Sequence, residues 1–222
     1  MEGTKIPRVK ICCIQNKAEA FAAIKLGASA LGLVSEMPSG PGPIPDKEIS
    51  EIAAVVPPPI ATFLLTSRTD AQQIIRHQKE VKTNTIQIVD RLLTGTYRDI
   101  RNALPGIRIV QVIHVVDQSS IEEAIRISAD VDAILLDSGN PNSTIKELGG
   151  TGRVHNWNIS RKIRETVQIP IFLAGGLTPN NVREAIETVE PFGIDVCSGV
   201  RTDSKLNLFK LEKFFNEVQA SQ

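Results

Sequence analysis

Ile169-Pro170-Ile171-Phe172-Leu173-Ala174-Gly175-Gly176-Leu177-Thr178-Pro179 is the stretch that decides the fold. An apolar run ends in two glycines and passes into Thr178-Pro179, a helix start with proline at the first helical position. A strand that hands its C-terminal end to a helix N-terminus is a βα unit. The pattern repeats on either side. Ala133–Asp137 leads to Gly149-Gly150-Thr151-Gly152, and the run from Ile194 leads to Ser198-Gly199-Val200. Working outward, strands are read at Val9–Ile14, Ala30–Val34, Ile60–Thr66, Thr85–Val89, Arg108–Val115, Ala133–Asp137, Ile169–Gly175 and Ile194–Gly199. Helices are read near Lys17–Leu26, Asp46–Val55, Asp70–Lys79, Tyr97–Leu104, Ser119–Ser128, Asn158–Thr166, Pro179–Glu190 and Leu208–Gln219, with Asp46 and Ser119 as N-caps. The near-continuous Val/Ile/Leu runs suit parallel strands buried on both faces. Eight such units predict an α/β fold, a (β/α)8 barrel forming one domain over residues 1–222.

Glycines after the late strands point to one face of that barrel. Backbone N–H groups and a helix N-terminus approach an anion most closely where no Cβ intervenes. A phosphate site is therefore expected on Gly149, Gly150, Thr151, Gly175, Gly176, Ser198 and Gly199, at the C-terminal rim. Two loops on the same rim stand out, Met37–Pro45, rich in proline and glycine, and the long polar Ser138–Trp157.

Composition excludes several classes. Basic and acidic residues balance at 25 each, so no overall field draws the chain to nucleic acid or to a membrane. Aromatic residues are only 4%, too few for base-stacking platforms. No apolar run approaches the ~20 residues of a membrane span, and Met1–Arg8 does not read as a secretory signal. Three cysteines, two adjacent, do not make a disulfide framework, so a reducing cytoplasm is the expected compartment. The three histidines are scattered without ligand spacing, and no metal site is expected.

Side-chain alternation in Val9-Lys10-Ile11-Cys12-Cys13 puts Lys10 and Cys12 on one face and Ile11 and Cys13 on the other. A strand lysine is unfavourable unless it meets a partner, so Lys10 and Cys12 are placed inward. Cys12 is then either a proton-transfer thiol, its pKa drawn down by Lys10, or an inert small hydrophobe. Asp137, closing the sixth strand, reads either as a catalytic carboxylate at the barrel mouth or as an Asx turn. Asp195 lies early in the last strand. Closure brings that strand beside the first, so a structural Lys10–Asp195 ion pair is expected.

These motifs together resemble the phosphoribosylanthranilate isomerase family. The resemblance rests on Val9-Lys10-Ile11-Cys12, Leu26-Gly27-Ala28 with Ala30-Leu31-Gly32, Leu135-Leu136-Asp137, Gly149-Gly150-Thr151-Gly152, Trp157, Ala174 to Val182, and Asp195 to Val200. It implies an Amadori rearrangement of phosphoribosyl-anthranilate, an aminoaldose, to an aminoketose in tryptophan biosynthesis. It further implies Cys12 as general base and Asp137 as general acid. The phosphate would rest on Gly150, Gly176 and Ser198-Gly199. No cofactor is implied, the partner is a small phosphorylated sugar, and the assembly is a monomer or homodimer.

Several positions depart from the family pattern. Cys12-Cys13 replaces the usual Cys-Gly. Gly42 falls where a family arginine holds the anthranilate carboxylate. Gln87-Ile88-Val89-Asp90 replaces Gln-Leu-His-Gly, and Arg201 replaces a glutamate. Either Arg68, Arg91 or Arg153 takes over the carboxylate, or the substrate has changed. The competing readings are another phosphosugar enzyme on the same barrel, of aldolase or epimerase type, and a catalytically silent metabolite-binding paralogue.

Overall fold

Strand β1 (Arg8–Ile11) opens the regular structure of a computed structural model that describes residues 6–139, 148 and 152–221. It is followed by α1 (Lys17–Lys25), β2 (Ala30–Val34), α2 (Asp46–Val55), β3 (Ala61–Thr66), α3 (Ala71–Val81), β4 (Thr85–Ile88) and α4 (Tyr97–Ala103). The second half runs β5 (Arg108–His114), α5 (Ser119–Ser128), β6 (Ala133–Asp137), α6 (Trp157–Thr166), β7 (Ile171–Leu173), α7 (Val182–Val189), β8 (Gly193–Val196) and α8 (Leu208–Gln219). Each strand pairs in parallel with the next, and β8 returns to β1, closing the expected barrel.

Strand pleating separates two apolar sets. On β2, Leu31 and Leu33 pack with the helices, whereas Ala30 and Val34 face the barrel interior; on β6, Ile134 and Leu136 face out and Ala133 and Leu135 face in. The interior also holds Phe63, whose ring meets Phe172 edge-on at 6.0 Å. Lys10, Gln87, Asp137 and Asp195 are buried among these apolar residues.

Helix starts follow local chemistry. Asn16 accepts from the Glu19 N–H, Asp70 from the Gln73 N–H, and Thr96 with Asp99 forms a capping box. Two expected caps move. Asp46 is the first residue of α2, with Pro45 before it, and at α5 it is Asp117 that accepts from the Ser119 N–H, at 2.8 Å. Helix α7 begins at Val182 rather than Pro179. The Asn181 side chain accepts from the Thr178 N–H at 2.8 Å and donates to the Gly176 carbonyl at 3.0 Å, which holds the intervening residues as a turn. After β8, a single 3-10 turn (Ser198–Val200) leads into a small hairpin, Arg201–Thr202 with Lys205–Leu206, that the pattern reading does not contain. Its two turn residues, Asp203 and Ser204, both have positive φ, as a type I′ turn requires.

Candidate active site

Lys10 is fully buried inside the barrel, with Nζ 2.9 Å from Asp195 Oδ2 across the β1–β8 seam and 5.3 Å from the centre of the Phe63 ring. The expected ion pair is present. Burial alone would lower the lysine's pKa, but the charges of Asp195 and Cys12 outweigh it and hold the ammonium. Gly32 on β2 makes the room. A Cβ there would stand 2.8 Å from Cys12 Sγ and 3.0 Å from Lys10 Nζ.

Cys12 follows β1, is buried, and carries a free thiol. Burial pushes that thiol up to about 11, against the pull of Lys10. The expectation that Lys10 would draw it toward the thiolate is therefore reversed. Burial is the larger effect, and the nearby Asp195 carboxylate, paired with the lysine, raises the thiol further.

Asp137 ends β6 opposite His114 in register. Its Oδ1 accepts from the Ser138 N–H at 2.7 Å, the local contact of an Asx turn, but the carboxyl also lines the barrel mouth. Burial raises its pKa, against His114, Ser138 and Lys10. Cys12 and Asp137 thus share one cavity, both favouring their protonated forms. Gln87, buried on β4, lines it too, with Oε1 lacking a protein partner among the described residues.

The rim is built by close backbone approach. Gly175 has φ +82°, and a Cβ there would come 2.9 Å from the Ser138 nitrogen; Gly176 has φ +65°, and its Cβ would come 2.6 Å from the Arg153 carbonyl carbon. A Cβ at Gly199 would collide with the Leu177 carbonyl. The loops after β6, β7 and β8 therefore converge on one edge of the cavity, which Gly152, Gly175, Gly176 and Ser198 line. Of the expected phosphate residues, Gly149, Gly150 and Thr151 lie outside the described residues.

Cys13 corrects two expectations. It does not sit on the opposite face from Cys12 but lines the same cavity. The strand has ended at Ile11, and φ +62° at Cys13 re-aims its side chain. It is also joined by a disulfide to Cys197, with the Cα atoms 5.9 Å apart, so the cysteines do not all remain unpaired. Spacing hides the pair, since the two are 184 residues apart in sequence. Gly42 is packed directly on Cys13. With φ +90°, its Cβ would stand 2.6 Å from the Cys13 Cβ. The Cys13 side chain therefore fills the space that a side chain at Gly42 would need.

Arg201, unassigned by sequence reading beyond its departure from the family, is a buried clamp. Its guanidinium pairs with Glu19 on α1 at 2.7 Å and donates to the Cys13 carbonyl and, at 2.8 Å, to the Ser204 carbonyl. The Arg201 pair, with the N–H groups of Leu206 and Gln15, holds Glu19's carboxyl below its ordinary pKa despite burial, and the bond to the Cys13 carbonyl fixes the backbone there. Among the described residues, no group of three His, Cys, Asp or Glu is placed to hold a metal ion, and no helix is long and apolar enough to cross a membrane.

The same arrangement of sequence and fold occurs in known proteins. The model of the N-(5'phosphoribosyl)anthranilate (PRA) isomerase family matches residues 9–217. The N-(5'-phosphoribosyl)anthranilate isomerase of Methanocella arvoryzae is 32% identical over 216 residues, covering 97% of this chain and 99% of that protein. That of Methanosarcina acetivorans is 33% identical over 227 residues, covering 96% and 94%. The crystal structure of phosphoribosyl anthranilate isomerase from Thermotoga maritima is similar at a TM-score of 0.80 and 26% identity, covering 97% of this chain and 100% of that one.

Proposed function

The chain belongs to the N-(5'-phosphoribosyl)anthranilate isomerase family, and on that premise we propose that it catalyses the Amadori rearrangement of phosphoribosyl-anthranilate to the corresponding aminoketose in tryptophan biosynthesis. The observation that carries the reading is the pairing of Cys12 and Asp137 across one cavity edged by Gly175, Gly176 and Ser198. Asp137 protonates the furanose ring oxygen, the ring C–O bond breaks, and the nitrogen lone pair forms the Schiff base. Cys12 then takes the C2′ proton, giving an enolamine that becomes the ketone. The substrate's own nitrogen serves as electron sink, so the chemistry calls for no cofactor. Backbone groups of Gly175, Gly176, Ser198 and Gly199 hold the phosphate away from the proton-transfer pair.

The working form has Asp137 protonated and Cys12 as thiolate. The swapped arrangement, carboxylate and thiol, contains the same number of protons. Its share relative to the working form is therefore independent of pH between the two titrations. Raised values on both groups move this pair's one-proton window upward, above the ordinary carboxylate pKa and toward the Cys12 value of about 11. Because charged sugar phosphates do not cross apolar barriers unaided, the cytoplasm is the compartment consistent with this substrate.

The test is turnover of phosphoribosyl-anthranilate generated in situ, followed by loss of its fluorescence. Cys12→Ser and Asp137→Asn should each lower kcat by about 10²–10⁴-fold, with the affinity for inorganic phosphate within a few-fold of wild type. Wild-type protein without turnover, or variants that retain it, would overturn the assignment.

A further inference from the structure

The substrate proposed above ends in an aromatic carboxylate, yet no described side chain lining the proton-transfer cavity is cationic. Lys10 lies beneath it, already paired to Asp195. Cationic side chains stand instead at the cavity's borders. Arg153 lies by Gly176, at the phosphate edge. Arg91 is paired with Glu123 at 3.5 Å on the β4–β5 side. Arg68, just after β3, has no carboxylate partner among the described residues and lines a second cavity with Ser67, Thr69 and Asp90. Met37 and Leu148 border both cavities, so the two adjoin across those apolar side chains.

We propose that the Arg68 guanidinium receives the carboxylate of the substrate's aromatic ring, with Met37 and Leu148 flanking the ring; this rests on the isomerase reading above. The barrel order supports it. The phosphate edge is at β7 and β8, the proton-transfer pair comes from β1 and β6, and β3 lies across the mouth. A substrate anchored by its phosphate and reacting between Cys12 and Asp137 directs its far end to the loop after β3. That loop is held in place. The Ser67 hydroxyl donates to the Glu36 carbonyl at 2.9 Å, and the Arg68 N–H donates to Thr66 Oγ1 at 3.3 Å. The Thr69 carbonyl accepts from the N–H groups of Leu93 and Thr94. Two acidic groups border the same cavity, Glu36 and Asp90, and Asp90 has its Oδ1 engaged by the Arg91 N–H at 2.8 Å. A guanidinium on a fixed backbone offers two parallel donors to a carboxylate at little ordering cost.

The experiment titrates wild-type, Arg68→Ala and Arg68→Lys chains with 1-(o-carboxyphenylamino)-1-deoxyribulose 5-phosphate and with the phenylamino counterpart that lacks the carboxylate. Arg68→Ala should weaken the carboxylate ligand about ten- to hundredfold and leave the other within twofold. Arg68→Lys should keep part of the difference, since it retains charge but not the fork. Turnover of phosphoribosyl-anthranilate should fall with binding, mainly through KM. Arg68→Ala discriminating between the ligands as well as wild type does would overturn the proposal while leaving wild-type turnover, and so the isomerase reading, intact. Arg68-dependent binding without wild-type turnover would do the reverse, and binding of neither ligand would overturn both.

Discussion

Gly32→Ala tests whether the room for Lys10 and Cys12 is as tight as it looks. The new Cβ would stand 2.8 Å from Cys12 Sγ, 3.0 Å from the Cys12 Cα and 3.0 Å from Lys10 Nζ. Ordinary contact between such atoms lies near ~3.5–4.0 Å, so the thiol must retreat by about 1 Å. The backbone cannot share the movement freely, because β1 and β2 are registered through Lys10↔Ala30 and Ile11↔Leu31. Overpacking costs about 1–3 kcal/mol, partly offset by the ~0.5–1 kcal/mol that replacing a strand glycine returns. A net loss of about 1–2 kcal/mol in a chain this size lowers Tm by roughly 2–8 °C. Activity should suffer more than stability, since displacement of a reacting group by ~1 Å can cost about a hundredfold. Thermal unfolding gives the first quantity and the fluorescence assay the second. Placing Gly32→Ala in a Cys12→Ala background removes the Sγ contact and should recover part of the lost stability. Single-variant turnover within twofold of wild type, with Tm unchanged, would refute the reasoning.

Other outcomes follow from the same geometry. The kcat/KM profile, which reports the free enzyme, should be flat between two limbs. It falls at low pH as the pair gains its second proton, above the usual carboxylate range, and at high pH as the pair loses its last, near the Cys12 value of about 11; a basic limb near the ordinary thiol value of ~8.5 would show that burial does not hold the thiol. Asp195→Asn leaves Lys10 uncompensated and should destabilise the fold by about 3–5 kcal/mol in denaturant titration, while moving the basic limb down because a charge that raises the thiol is gone. Gly42→Arg should lower Tm without improving kcat/KM, since φ +90° and the 2.6 Å approach to Cys13 forbid the new side chain; adding Cys13→Gly should relieve the contact and make the two changes non-additive by roughly 0.5–3 kcal/mol, whereas a tenfold gain from the single change would show the loop accepts it.

The barrel was legible because two periodicities agree. Apolar runs of strand length alternate with amphipathic helices, and Ala30–Val34, Asp46–Val55, Ser119–Ser128, Ala133–Asp137 and Leu208–Gln219 carry the bounds that pattern predicts. Alternation in β1, combined with closure, also reveals Lys10 and its partner Asp195. What sequence could not show depends on contacts between distant residues or on backbone sign. Cys13 occupies a left-handed position without being glycine, so the pleat rule sends it to the wrong face. Arg201 and Glu19 meet across nearly the whole chain, as do Cys13 and Cys197. The thiol's pKa turns first on how completely Cys12 is buried, and then on the balance of Lys10 against Asp195, neither of which spacing contains. Gly42 reads as a lost arginine in sequence and as a packing necessity in space.

The seam between β1 and β8 has a consequence for how the chain is born. Val9 pairs with Ile194 and Lys10 with Asp195, joining the earliest strand to the latest. Until β8 has been synthesised, β1 has one unsatisfied edge, and contacts so remote in sequence are slow to form. Such an edge invites pairing with other chains unless a charge interrupts it. Lys10 supplies that charge on the face that will become the interior, and it remains a hydrated cation for as long as the ring is open. Closure then converts the same ammonium from a guard against misassembly into the counter-ion buried beneath Cys12.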